Sequence, residues 1–160
     1  METLDIHTPE GAEAWGDVAG RRFVAQHASP PERDDAREAW RAACPETTAP
    51  EVFQTFARAF MGRAAAELAA EHADTRAELP DDERAELEHA VTDTLRVSRE
   101  GRIIGQQEAA RQALRASIRY GLDLHARRAA ERLCEVQGSL SFARELRPLR
   151  VFVDIFEGDA

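Results

Sequence analysis

The chain has 160 residues, a formal net charge of −9, and 43% hydrophobic against 32% charged residues. That mixture is too apolar for wholesale disorder, and no run of the sequence approaches the roughly 18 consecutive apolar residues of a membrane-spanning helix. All 21 basic residues are arginine, so each cationic contact comes from a planar, multi-donor group instead of a point charge.

Residues 3–7 alternate apolar and polar, as a short strand does. Thr8-Pro9 reads as an N-cap followed by proline at the first helical position. It opens a first helix running to about Gln26, with Trp15, Ala19 and Phe23 on one side. Gly11, Gly16 and Gly20 weaken that helix by about 1 kcal/mol each relative to alanine, so it depends on docking. Ser29-Pro30-Pro31-Glu32 forms a capping box for a second helix over about 30–44. Ala36, Trp40 and Ala43 share one of its faces, and Pro45 ends it.

Thr48-Ala49-Pro50-Glu51 is another capping box. It predicts a third helix over about 49–78, about 45 Å long at ~1.5 Å per residue. Phe53, Ala57, Phe60, Ala64 and Leu68 make its apolar stripe, with Phe56 and Met61 beside it. Pro80-Asp81-Asp82-Glu83 starts a fourth helix with its acids at the positive end of the helix dipole. Its inner face is Leu87, Val91, Thr94 and Leu95, and Gly101 stops it.

From about 102 to 120, Ile103, Gln107, Ala110, Leu114 and Ile118 recur at helical spacing. Gly121 followed by Asp123 reads as a stop and a fresh N-cap. Beyond them the stripe moves to Leu122, Ala126, Ala129, Leu133 and Val136, a rotation of about a quarter turn. A kink or break at Gly121 follows from that rotation, and Gly138 is expected to end the element. After Pro148, the alternation of Leu149, Val151, Val153 and Ile155 with Arg150, Phe152, Asp154 and Phe156 favours a strand over 149–156. The alternative is a final helical turn using Phe152 and Phe156. A lone strand leaves backbone groups unpaired, so it is expected to pair with residues 3–7 or with a partner chain.

The expected fold is therefore all-α, one domain over 1–160 with five to six helices in a bundle-like or extended hairpin arrangement. Docked N-terminal helices occupy 1–45, a helical core 48–138, and a C-terminal strand or arm 149–156. The pairing of 3–7 with 149–156 is its one β feature.

Charge divides along the chain. Residues 1–95 carry 9 arginines and 21 acids, residues 96–150 carry 12 arginines and 6 acids, and residues 151–160 carry 3 acids. Complementary packing of a basic C-terminal hairpin on an acidic N-terminal half is the plainer explanation. The functional alternative is a basic surface for an acidic partner or nucleic acid, with Arg111, Arg115 and Arg119, four residues apart, as its ridge. The net negative charge and the single tyrosine disfavour nucleic acid.

Catalytic motifs are missing from the sequence: it has no Walker loop, GxGxxG, GxSxG or HExxH. Glu86-x-x-His89 with Asp93 resembles a carboxylate-bridged di-iron ligand motif. That chemistry needs two such motifs, and on a helical wheel these side chains fall opposite Leu87, Val91 and Thr94. His125 lies beside an apolar stripe with no serine or carboxylate partner nearby in sequence. Cys44 and Cys134 lie in no CxxC pattern and read as reduced, mostly buried thiols. With no signal-like N-terminus after Met1-Glu2-Thr3, the expected compartment is the cytoplasm. Gly16-x-x-x-Gly20 and Gly101-x-x-x-Gly105 match a close-packing pattern.

Arg99-Glu100-Gly101-Arg102, Gln106-Gln107-Glu108, Ala113-Leu114, Arg119-Tyr120-Gly121 and Leu133 resemble the helical C-terminal tails of Rpn-type recombination-promoting nucleases. Those proteins carry a PD-(D/E)xK core. Residues 1–95 have no such pattern and the chain has no lysine, so neither activity nor residues carry over.

These readings point to a non-enzymatic interaction, regulatory or structural subunit acting through apolar helix faces. Phe53, Phe56, Phe60, Leu114 and Ile118 are its candidate core or partner-facing stripe. A protein partner or self-association is expected, with no cofactor, no metal and no membrane span. Nucleic-acid association through 96–150 is the first alternative, and a small helical metal-binding protein or enzyme the second. The long third helix and the kinked fifth are the elements expected to carry the interaction.

Overall fold

The computed structural model describes residues 5–43, 49–97, 99 and 101–145. Among these residues the chain is all-helical, with seven helices and no strand. The helices are α1 (Pro9–Gln26), α2 (Arg33–Ala43), α3 (Pro50–Ala70), α4 (Ala73–Glu78), α5 (Asp81–Val97), α6 (Ile103–Arg119) and α7 (Asp123–Glu145).

The expected strand over 3–7 is not formed where it is described. Residues 5–7 are a turn that seats the cap of α1. The Asp5 carbonyl accepts from the Thr8 amide at 3.1 Å and from the Thr8 hydroxyl at 2.8 Å. Thr8 Oγ1 in turn accepts from the Gly11 amide at 3.1 Å. Local capping bonds take the backbone groups that a strand would have needed from a partner. The proposed partner strand, 149–156, lies outside the described residues.

Helix α1 lies along α3, the two running parallel. Gly16 meets Phe56 and Ala59, and four residues on Gly20 meets Phe60 and Arg63. A Cβ at Gly16 would stand 2.5 Å from the Phe56 carbonyl oxygen, and one at Gly20 2.5 Å from that of Phe60. The glycines that lower the intrinsic helicity of α1 are thus what allow its backbone to dock. Trp15 and Ala19 border this seam and Phe23 is buried in it. Asp17 pairs with Arg63 at 3.5 Å and Arg21 with Glu67 at 3.7 Å along its edge. Gly101 and Gly105, in contrast, have nothing near the Cβ positions.

The opposite face of α3 holds α7. Arg58 pairs with Glu131 at 3.7 Å, Gly62 faces Arg127 and Glu131, and Gln54 donates to Cys134 Sγ at 3.8 Å. The numbering rises along one helix as it falls along the other, so α7 runs antiparallel to α3. Phe56, Phe60 and Met61 lie at or below 1% exposure in the centre. Trp40 meets Phe56 edge-on at 4.9 Å and Phe23 meets Phe60 edge-on at 5.4 Å. Such aromatic contacts add about 0.5–1.5 kcal/mol each beyond area burial.

The break expected at Gly121 is present, in the form of a Schellman turn. Leu122 N–H donates to Ser117 O at 2.8 Å and Gly121 N–H to Ile118 O at 3.1 Å, with Gly121 at φ +71°. The turn folds α6 back against α7 as an antiparallel hairpin. Asp123, expected as the N-cap, is instead the first residue of α7, because the Leu122 carbonyl accepts the first helical bond from Ala126.

Four boundaries differ from expectation, the first being the fourth helix, α5, which ends at Val97 and not at Gly101. The third helix stops at Ala70, and residues 73–78 form a separate short helix. The interruption falls where Gly121 approaches so closely that a Cβ there would stand 2.5 Å from the His72 carbonyl oxygen. Division of this helix, together with α6 and α7 being separate, gives seven described helices where five to six were expected. The second helix starts at Arg33. Asp35 Oδ2 accepts from the Glu32 amide at 2.8 Å, which moves the cap from Ser29 to Glu32. Gly138 does not end α7: its Cβ position makes only ordinary contacts, the nearest 3.5 Å away, and the helix continues to Glu145.

Candidate functional site

The apolar stripes are used up inside the fold. Phe53, Phe56, Phe60, Leu114 and Ile118 are all buried in one core. The long third helix and the kinked fifth lie at the centre of the bundle: α3 is packed against α1 and α7, and α6 and α7 against each other.

The basic ridge is divided. Arg111 Nε donates to Glu32 Oε1 at 2.9 Å. The other Glu32 oxygen accepts from Gln137, whose own Oε1 accepts from the Arg33 amide at 2.8 Å. Arg111 therefore belongs to a clasp joining the start of α2 to the α6–α7 hairpin. Arg115 and Arg119 remain exposed, Arg119 with its guanidinium 5.6 Å from the Tyr120 ring centroid. Cross-half ion pairs run in both senses. Arg111–Glu32 joins a C-terminal arginine to an N-terminal acid, whereas Arg58–Glu131 and Arg76–Asp123 do the reverse. These pairs leave the charge imbalance of the halves largely on the surface.

Glu86, His89 and Asp93 lie on the exposed face of α5. Asp93 is hydrogen-bonded by Arg96 at 2.7 Å, which lowers its pKa. Among the described residues, no group of three or more His, Cys, Asp or Glu side chains stands together as a metal-binding set. His125 is half-buried in α7. Cys134 is fully buried, and burial raises its thiol from the ordinary 9.0 to about 12. That thiol stays protonated near neutrality and is a poor nucleophile. Cys44 lies outside the described residues. No described helix is long and apolar enough to cross a membrane.

Among the described residues, a groove lies open between α1 and α2. These helices follow one another in the chain but splay apart, and α3 floors the gap with Phe56 and Phe60. The cavity holds about 390 Å³. Trp15 and Val18 stand on the α1 wall and Ala39 and Ala42 on the α2 wall. Val18 is 40% exposed, a large aliphatic side chain left in water at the rim.

Polar groups are segregated around this apolar floor. Arg22 and His27 line the α1 wall, and Asp35 and Glu38 the α2 wall. The His27 ring stacks on Phe23 at 4.4 Å and donates from Nδ1 to the Phe23 carbonyl at 3.1 Å. In the neutral ring this leaves Nε2 as an acceptor. Burial raises the Asp35 pKa, against the lowering effects of the Glu32 amide and of His27. A trough with apolar side chains and a few charged groups on its walls can hold a short amphipathic segment. Trp15, Phe56 and Phe60 were legible in sequence only as core stripes. Their convergence with Asp35 and Glu38 depends on the angle between α1 and α2, for which the sequence has no local signal.

In comparison with known proteins, no family model matches the chain, the Rpn-type resemblance included, and no curated protein or solved structure shows significant similarity to it.

Proposed function

We propose that this protein is a non-enzymatic interaction module that receives an amphipathic peptide segment in the groove between α1 and α2. The observation that carries the reading is the 390 Å³ trough between α1 and α2, with Val18 exposed at its rim and Trp15 and Ala39 half-buried on its walls, above a core already closed over Phe56 and Phe60. Concave apolar surfaces with a few placed charges suit helix-in-groove recognition.

The test is an NMR titration of isotopically labelled protein with amphipathic peptides selected by display. Shifts concentrated at Trp15, Val18 and Ala39, and at least tenfold weaker binding in Val18→Asp, are expected. Val18 is already exposed, so this change spares the core. Peptide contacts mapping to α5 or α6, with Val18→Asp binding as well as the wild type, would overturn the proposal.

A further inference from the structure

We infer that the groove between α1 and α2 is the seat of the chain's own segment 149–156, held in the same molecule. The inference rests on the groove reading above and names its resident ligand.

The segment's chemistry fits the trough. Six of its eight residues are bulky and apolar: Leu149, Val151, Phe152, Val153, Ile155 and Phe156. Each such side chain gains about 1.5–3 kcal/mol on leaving water. The described core is already closed over Phe53, Met61, Leu114 and Leu133, while the trough between α1 and α2 remains open.

The chain also leaves the bundle at a suitable place. Cys134 lies beside Gln54, and Gly138 beside Gln54 and Arg33. Helix α7 is thus travelling past the beginning of α3 when it reaches Glu145. Trp15 opens the groove at that same end, because the next residue, Gly16, packs on Phe56 in the first half of α3. Ala42 and Ala43, at the close of α2, line the groove too. Residues 146–156 can span up to about 36 Å when extended. The groove runs from Trp15 to His27, about 18 Å along α1, so the segment can reach it without disturbing α7.

Charge adds partners for the docked segment. The segment is basic at its start, with Arg147 and Arg150, and acidic later, with Asp154 and Glu157. The walls offer Asp35 and Glu38 to the arginines, and Arg22 to the acids.

The experiment uses full-length chains and a fluorescent synthetic peptide of residues 147–158, with binding read by anisotropy. The variant Phe152→Asp/Phe156→Asp should release the segment and open the groove. It is expected to bind the peptide at least tenfold more tightly than the wild type, whose groove is occupied. Adding Val18→Asp should reduce that binding at least tenfold, and all chains should remain monomeric. Equal binding by wild type and variant, no binding to either, or indifference to Val18→Asp would overturn the inference. A doubled mass for the wild type, lost in Phe152→Asp/Phe156→Asp, would overturn the same-molecule form and assign the groove to a second copy. A display-selected peptide bound equally by wild type and Phe152→Asp/Phe156→Asp, but lost with Val18→Asp, would leave the groove standing and remove only its proposed occupant.

Discussion

Glycine has opposite consequences at different positions of this chain. Gly16→Ala adds a methyl group 2.5 Å from the Phe56 carbonyl and 2.8 Å from Ala59 Cβ. Backbone cannot yield there as a flexible side chain would, so overpacking of about 1–3 kcal/mol outweighs the roughly 1 kcal/mol gained in helix propensity. Gly105 lies in α6 with nothing near its Cβ position, so Gly105→Ala should stabilise by about 0.5–1 kcal/mol. Chemical denaturation of the two variants checks the opposed signs; a stabilising Gly16→Ala would contradict the close docking of α1. Cys134 offers a second residue-scale test. In a Cys44→Ser background its thiol should resist a water-soluble thiol reagent until the chain unfolds. Because its folded pKa is raised, this group's contribution is fully present below about pH 9. It is lost as pH rises toward about 12, where the unfolded chain has already released the proton.

At the scale of elements, attachment is uneven. Helix α5 buries a single side chain, Val91, whereas α3 buries ten residues. Amide hydrogen exchange should therefore be fast in α5 and in the short α4, which buries no residue, and slowest in α3 and the α6–α7 hairpin. Protection of α5 equal to that of α3 would count against this arrangement. The start of α2 is held by Glu32, Arg111 and Gln137. Hydrogen bonds to charged groups contribute about 1.5–3 kcal/mol, reduced here because Arg111 keeps 29% side-chain exposure. Glu32→Ala and Arg111→Ala should each cost about 1 kcal/mol. The double mutant should cost less than the sum of the singles, as read from a double-mutant cycle.

Across the whole molecule, ion pairs between the halves run in both senses among the described residues, and Arg115 and Arg119 stay exposed. Arg115→Glu and Arg119→Glu should consequently leave stability within about 0.5 kcal/mol, measurable by urea denaturation. The groove shares one residue, Asp35, with the cap of α2. Its raised pKa means that the folded state carries a charged-carboxylate penalty. That penalty is absent below the ordinary aspartate value of about 3.9 and complete once pH exceeds the raised folded value. Asp35→Asn should flatten the dependence of stability on pH across this interval, while its amide oxygen can still accept from the Glu32 amide.

Periodicity along the chain by itself determined the helical class, the α1 cap at Thr8, the stop at Gly121, and the buried stripes of α3, α6 and α7. Each of these depends on neighbours within about one or two turns, where spacing and capping chemistry act directly. Tertiary structure alone decided the interruption at Glu71–His72, the passage of α7 through Gly138, the recruitment of Arg111 into a clasp, and the trough between α1 and α2. These depend on which remote atoms meet: the His72 carbonyl against Gly121, or Phe56 and Phe60 beneath two splayed helices. Hydrophobic spacing records which face of a helix is inward, but it carries no information about the angle at which two inward faces leave a gap.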